Sequence, residues 1–180
     1  MIYTYAECLA RWESDYQIKK QIASGKLFRL EKGFYGDQPD IPEMAVIARK
    51  YPKAIFTLNS AFYVLGLSDT PPEKYHIATD KHSFYLCDKR IRQYYVGSDI
   101  LNTGVIMMNL RDTAIRIYDR ERMLIELIRY KSKLPHDYYK KILGKYRKLV
   151  DELDMKRIFQ YAAIFPRHKL ILRTLESEVL

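Results

Sequence analysis

The hydrophobic period of the chain changes at Asp119. Before it, between Tyr75 and Tyr118, stand the runs YHIAT, SFYLC, IRQYYV, GVIMMNL and AIRIYD. They are short, rich in β-branched and aromatic residues, and divided by Asp, Lys and Gly, as strands are. After it, apolar residues recur at helical spacing. RERMLIELIRYK (120–131) sets Met123, Leu124, Leu127 and Ile128 in one inward stripe. Three more helices are expected near 137–150, 154–164 and 167–177, punctuated by Pro135 and Pro166. Strands followed by helices, rather than alternating with them, argue for an α+β fold.

The N-terminal part follows a different plan. Thr4 to Trp12 reads as a short helix with Ala6 and Leu9 inward. Ser14 is placed as an N-cap, and Gln17 three residues later completes a capping-box pattern. A second helix then covers about Asp15 to Ser24, and Gly25 ends it. Leu27–Leu30 and Phe34–Gly36 read as two strands around a Glu31-Lys32-Gly33 turn, with Gly33 supplying positive φ. DQPDIP (37–42) reads as a linker, and Glu43–Tyr51 as a helix with Met44, Ile47 and Ala48 on one face. PKAIFTLNSAFYVLGL (52–67) gives a brief strand and a helix ending at Gly66. The expected organisation is a minimal winged helix-turn-helix over residues 1–38 and a mixed β-sheet domain with C-terminal helices over 39–180.

Net charge points to the partner. The 180 residues carry a formal charge of +9, which favours an anionic partner such as DNA, RNA or anionic lipid. Apolar residues make up 48% of the chain, enough for a real core and too many for wholesale disorder. Cys8 and Cys87 stand far apart with no Cys-x-x-Cys pair, so a zinc ribbon or redox motif is not indicated and both thiols are expected free in a reducing cytoplasm. MIYTYAECLARW lacks a basic region followed by an apolar run, so no signal peptide is expected. No apolar stretch approaches the roughly 20 residues a membrane span needs.

On the second helix Ile18 and Ile22 share the core face. Tyr16, Lys20 and Ala23 then lie opposite, flanked by Gln17 and Lys19. A helix fits the major groove, where base edges differ for every pair. Tyr16, Gln17 and Lys20 are the expected base contacts. Lys19, Arg29 and Lys32 would hold phosphates, displacing counterions.

At SGKLFRLEKGFYG the chain resembles the N-terminal winged helix-turn-helix of the AbiEi family, antitoxins and transcriptional regulators of abortive-infection, type IV toxin–antitoxin systems. Gly25, Leu27, Arg29, Leu30, Gly33 and Tyr35 stand at the motif positions. Ser60, Ala61, Gly66, Leu67 and Pro72 are similar to a later family segment, and Asp119, Glu121, Arg122 and Leu124 to a third. The resemblance implies a DNA-binding domain, a C-terminal antitoxin domain, and repression of its own operon at inverted repeats. It also implies counteraction of a nucleotidyltransferase-like toxin without a stable complex. The chain begins almost at the first helix of the motif, where many members carry a preceding one, so support is expected from Glu43–Tyr51 or Ser60–Leu65.

Other chemistry is sparse. His76, His82, His136 and His168 are scattered without metal-ligand spacing, and no Gly-rich phosphate loop exists, so neither metal nor cofactor is expected. Asp119 is placed to cap the following helix, with Glu121 in its first turn. Gly97-Ser98 lacks the later Asp-x-Asp of the partner toxins, so the chain resembles the antitoxin and no enzyme is expected. A metal-dependent nuclease built on DELDMK (151–156), with Asp154 essential, is an alternative, as is a protein-interaction antitoxin that does not bind DNA. A second basic surface is marked by Lys140, Lys141, Lys145, Arg147, Lys148, Arg167, Lys169 and Arg173, with Tyr138, Tyr139 and Tyr146 interleaved as core residues or base-stacking platforms.

Overall fold

The computed structural model describes residues 1–179. Its fold is α+β, with eight α-helices and two sheets among the described residues. The chain forms two compact units, residues 1–52 with 107–115, and residues 53–106 with the chain from Arg116 onward.

The first unit opens with a strand that the sequence pattern does not announce, β1 (Ile2–Thr4), then α1 (Tyr5–Trp12) and α2 (Asp15–Ala23). Thr4 ends β1 and caps α1. Its side chain accepts from the Glu7 amide while the Glu7 carboxylate accepts from the Thr4 amide, so both orphan donors are satisfied. β2 (Phe28–Glu31) and β3 (Phe34–Gly36) follow, and the sheet runs β1-β3-β2, antiparallel throughout. β3 pairs Gly36 with Ile2, more than thirty residues back, so nothing local marks β1 as a strand.

The unit's α3 (Glu43–Lys50) lies beyond the 1–38 segment but packs with it. Ala45 and Val46 are buried with Ile2, against Leu30, Phe34 and Leu110. This helix supplies support of the kind expected from Glu43–Tyr51; Ser60–Leu65 belongs to the other unit. Four consecutive residues, Met44 to Ile47, are buried, so α3 is covered on more than the single face its periodicity suggested.

The second unit contains β4 (Ile55–Phe56), α4 (Leu58–Val64), β5 (Tyr75–Asp80) and β6 (Ile91–Val96). Next come β7 (Val105–Leu110) and β8 (Thr113–Tyr118), joined through Arg111 and Asp112. Met107–Ile115, which is most of β7, the turn and the first half of β8, counts with the first unit. The sheet order is β6-β5-β4-β8-β7. β4 runs antiparallel to β5 and parallel to β8, and β5 runs parallel to β6.

The expected strand SFYLC is not one. Residues 83–87 lie in the return from β5 to β6, and because those neighbours are parallel this segment must travel back instead of pairing. Gln93 on β6 pins it, accepting from the Leu86 amide at 2.8 Å and donating to the Phe84 carbonyl at 3.1 Å.

The helical layer is α5 (Arg120–Arg129), α6 (His136–Lys148), α7 (Met155–Ala163) and α8 (His168–Glu178). Asp119 caps α5 as its position suggests, accepting from the Arg122 amide at 2.7 Å. All residues from Glu121 to Ile128 are buried, the charged ones included, because α4, α7 and α8 all pack on α5. Arg122 is fully enclosed, between the Tyr118 and Phe165 rings at 4.5 and 4.3 Å. Its Nε donates to Glu126 at 3.0 Å, and Nη1 donates to the Ile100 and Thr103 carbonyls. Nη2 lies 2.9 Å from the same carboxylate, close enough for an ion contact but without hydrogen-bond alignment.

Candidate nucleic-acid interface

α1 and α2 are joined by a tight turn. Glu13 takes a left-handed conformation at φ 64°, and Ser14 in extended backbone caps α2 by accepting from the Gln17 amide at 3.3 Å. Beneath the turn Cys8, Ile18 and Leu27 are buried together, with Leu9, Trp12, Ile22 and Tyr35 packed around them. Ile18 belongs to α2 and Leu27 to the foot of β2, so one apolar cluster fixes the helix against the hairpin base.

Opposite Ile18, α2 presents Tyr16, Gln17, Lys19 and Lys20, all exposed. Tyr16 is 73% exposed, which is unusual for a residue with so much apolar surface. Lys20 makes no ion pair among the described residues. Lys19 lies 3.2 Å from Asp15 one turn earlier, with both side chains largely in solvent. Such a pair contributes little and exchanges readily for a stronger anion.

On the hairpin, Arg29 points outward while its neighbours Phe28 and Leu30 are half-buried. The register slips between Arg29 and Glu31, a bulge that twists the ribbon just before its turn. Gly33 closes that turn at φ 82°, which glycine adopts without strain. Lys32 is exposed at the tip. Glu31 is committed elsewhere, 3.0 Å from Lys50. Lys26, exposed between α2 and β2, adds a cation that was not among the expected phosphate contacts. Its signal was its place in SGKLFRL, within the motif itself. The four α2 residues thus share one exposed side of a single helix, and the two hairpin cations stand on the adjoining ribbon.

The C-terminal basic residues divide into two groups. Lys140, Lys141, Lys148, Arg167, Lys169 and Arg173 are exposed. Lys145 instead pairs with Asp69 at 2.7 Å, and the Arg147 guanidinium donates to the Glu178 carbonyl at 2.7 Å, so these two staple α6 to its surroundings. Tyr139 and Tyr146 are core residues. Tyr139 donates to Glu178, Tyr146 donates to the Arg120 carbonyl, and burial pushes both phenols up. Tyr138 is half-buried, so none of the three forms an open stacking platform.

Among the described residues, no group of three or more His, Cys, Asp or Glu side chains could share a metal. Asp154 caps α7 by accepting from the Arg157 amide at 3.0 Å, and Asp151 and Glu152 lie in a 3-10 turn before it. No helix among the described residues is long and apolar enough to cross a membrane.

No family model matches the chain, and no curated protein matches it. Its fold is similar to the crystal structure of the Rv2827c protein from Mycobacterium tuberculosis, with a TM-score of 0.67 and 14% sequence identity, over 99% of this chain and 72% of that one.

Proposed function

We propose that this chain is a cytoplasmic DNA-binding antitoxin of the AbiEi type, which represses its own operon and counteracts a nucleotidyltransferase-like toxin. In this reading α1, α2 and the β2–β3 hairpin form a winged helix-turn-helix. α2 is the recognition helix, with Tyr16, Gln17 and Lys20 meeting base edges. Lys19, Arg29 and Lys32 meet phosphates, and Lys26 joins them. The observation that carries the reading is the composition of α2. Its buried side is two isoleucines, and its solvent side is two lysines, a glutamine and an exposed tyrosine beside a basic hairpin. A long, flexible cation suits phosphate, and a planar amide suits adenine.

The test is binding to the DNA upstream of the gene across a salt series, beside a Lys19→Ala/Lys20→Ala variant. The variant should bind more weakly and lower the salt slope by about 2, one for each cation withdrawn from the DNA. Unchanged binding would move the DNA site to the exposed lysines and arginines of α6 and α8. No binding to any upstream fragment would leave a protein-facing antitoxin.

A further inference from the structure

The second unit holds a cleft of about 860 Å³ between the loop 70–74, the strand β6 and the segment from Tyr130 to Tyr138. That size lies within the range of small-molecule sites. Three features of its wall define what it would accept.

Its rings come first. His76, Tyr94 and Tyr130 line the cleft, with His76–Tyr94 centroids 5.3 Å apart and Tyr94–Tyr130 centroids 5.6 Å apart. Tyr85, on the loop that Gln93 pins, adds a ring that is 70% exposed.

Its cations come second. Lys74, Arg92 and Lys133 line the cleft and make no ion pair among the described residues; Glu73 is the one carboxylate with them. Arg92 and Lys133 are held near ring faces, 5.7 Å from the Tyr94 centroid and 5.2 Å from that of Tyr130. The cleft therefore pairs aromatic surface with unneutralised positive charge.

Its polar groups come third. The Asn59 side-chain oxygen is buried on the wall and lacks a hydrogen-bond partner, an open demand for a donor. His76 Nδ1 and the Tyr94 hydroxyl are hydrogen-bonded at 3.0 Å deeper in.

Flat rings, uncompensated cations and an unsatisfied acceptor match one ligand chemistry: an aromatic base bearing N–H groups and a phosphate. We infer that this cleft binds a nucleotide, its base against Tyr85 and the Tyr94–Tyr130 wall and its phosphate at Lys74, Arg92 and Lys133. Base–aromatic stacking tolerates any base, so recognition rests on the phosphate and on Asn59. The site lies apart from α2 and the hairpin in sequence and is independent of the DNA-binding proposal. The nucleotide is either free or the terminal residue of a single-stranded RNA.

Isothermal titration calorimetry of the whole chain tests this, using the four ribonucleoside 5′-monophosphates, adenosine, inorganic phosphate and a single-stranded RNA tetranucleotide. At least one monophosphate should bind more tightly than adenosine or phosphate alone. Arg92→Ala/Lys133→Ala and, separately, Tyr85→Ala should each weaken it by about tenfold or more, as removal of a charge-assisted hydrogen bond or a stacked ring does. All three positions are at the surface, and unchanged thermal unfolding verifies folding. Lys19→Ala/Lys20→Ala should leave nucleotide binding intact. Tetranucleotide binding that disappears in the cleft variants, without binding of monophosphates, identifies the chain-end source. The inference is overturned if neither probe binds, or if binding survives both cleft variants.

Discussion

Removal of the Glu126 carboxylate is the sharpest probe of the helical layer. Glu126 is 3% exposed and accepts from Arg122 at 3.0 Å and from Arg129 at 2.8 and 2.9 Å. In Glu126→Ala the fully enclosed Arg122 keeps its charge and loses the only carboxylate paired with its guanidinium among the described residues. Breaking a buried pair from one side costs about 3–5 kcal/mol, because an uncompensated charge stays in a low dielectric. The Ile100 and Thr103 carbonyls still hold Nη1, which places the loss near the lower end, at about 3 kcal/mol. For a chain of this size that corresponds to about 6–12 °C in melting temperature. Near-UV circular dichroism of the tyrosines, followed through urea unfolding, reads it directly. Arg122→Met/Glu126→Leu should recover to within about 1 kcal/mol of the parent, since apolar side chains of similar volume remove both desolvation penalties. A Glu126→Ala variant within about 1 kcal/mol of the parent would refute the account.

Two further stability measurements follow from buried groups. Burial, with Arg92 nearby, pulls the His76 imidazole down from 6.5 to about 4. Above pH 6.5 the ring is neutral whether folded or unfolded and its contribution is complete. As pH falls towards 4 only the unfolded chain gains the proton, so stability declines by up to about 3 kcal/mol; His76→Gln should flatten that part of the urea-midpoint profile. Gly25 and Gly104 both have positive φ, but a Cβ on Gly25 would meet nothing, whereas one on Gly104 would lie 2.5 Å from the Arg122 Cβ. Gly25→Ala should cost about 1 kcal/mol and Gly104→Ala clearly more, as thermal melts of the pair will compare.

The sequence was most legible where structure is local. The Ser14 cap, Gly33 in its turn and the punctuation of the last helices all depend on residues a few positions apart. Legibility failed where tertiary context decides. β1 is three residues whose partner, β3, lies more than thirty residues further along the chain. SFYLC has strand composition, but a parallel β5–β6 pair leaves it only the return path. The α5 stripe was visible, yet burial of every residue from Glu121 to Ile128 depends on three other helices. Arg122 and Glu126 have the spacing of an exposed ion pair, and only packing makes them a core pair. For the candidate interface, helical phase alone assigned the exposed and buried sides of α2. The aromatic cleft escaped notice because Tyr85, Tyr94 and Tyr130 come from a loop, a strand and a helix end, with nothing in sequence linking them.

The first unit draws on Met107–Ile115 as well as the N-terminal residues, and Leu110 packs on the cluster of Ile2, Ala45 and Val46. During synthesis, the part that emerges first is therefore not complete when Pro52 has emerged. Residues 1–52 must wait, with that cluster uncovered, until Leu110 has left the ribosome. The same dependence means that the N-terminal stretch is not a transferable cassette. A fragment ending at Pro52 would lack Leu110 and the Arg111–Asp40 pair, and recombination that exchanged only the first third of the gene would separate a core from its own lid.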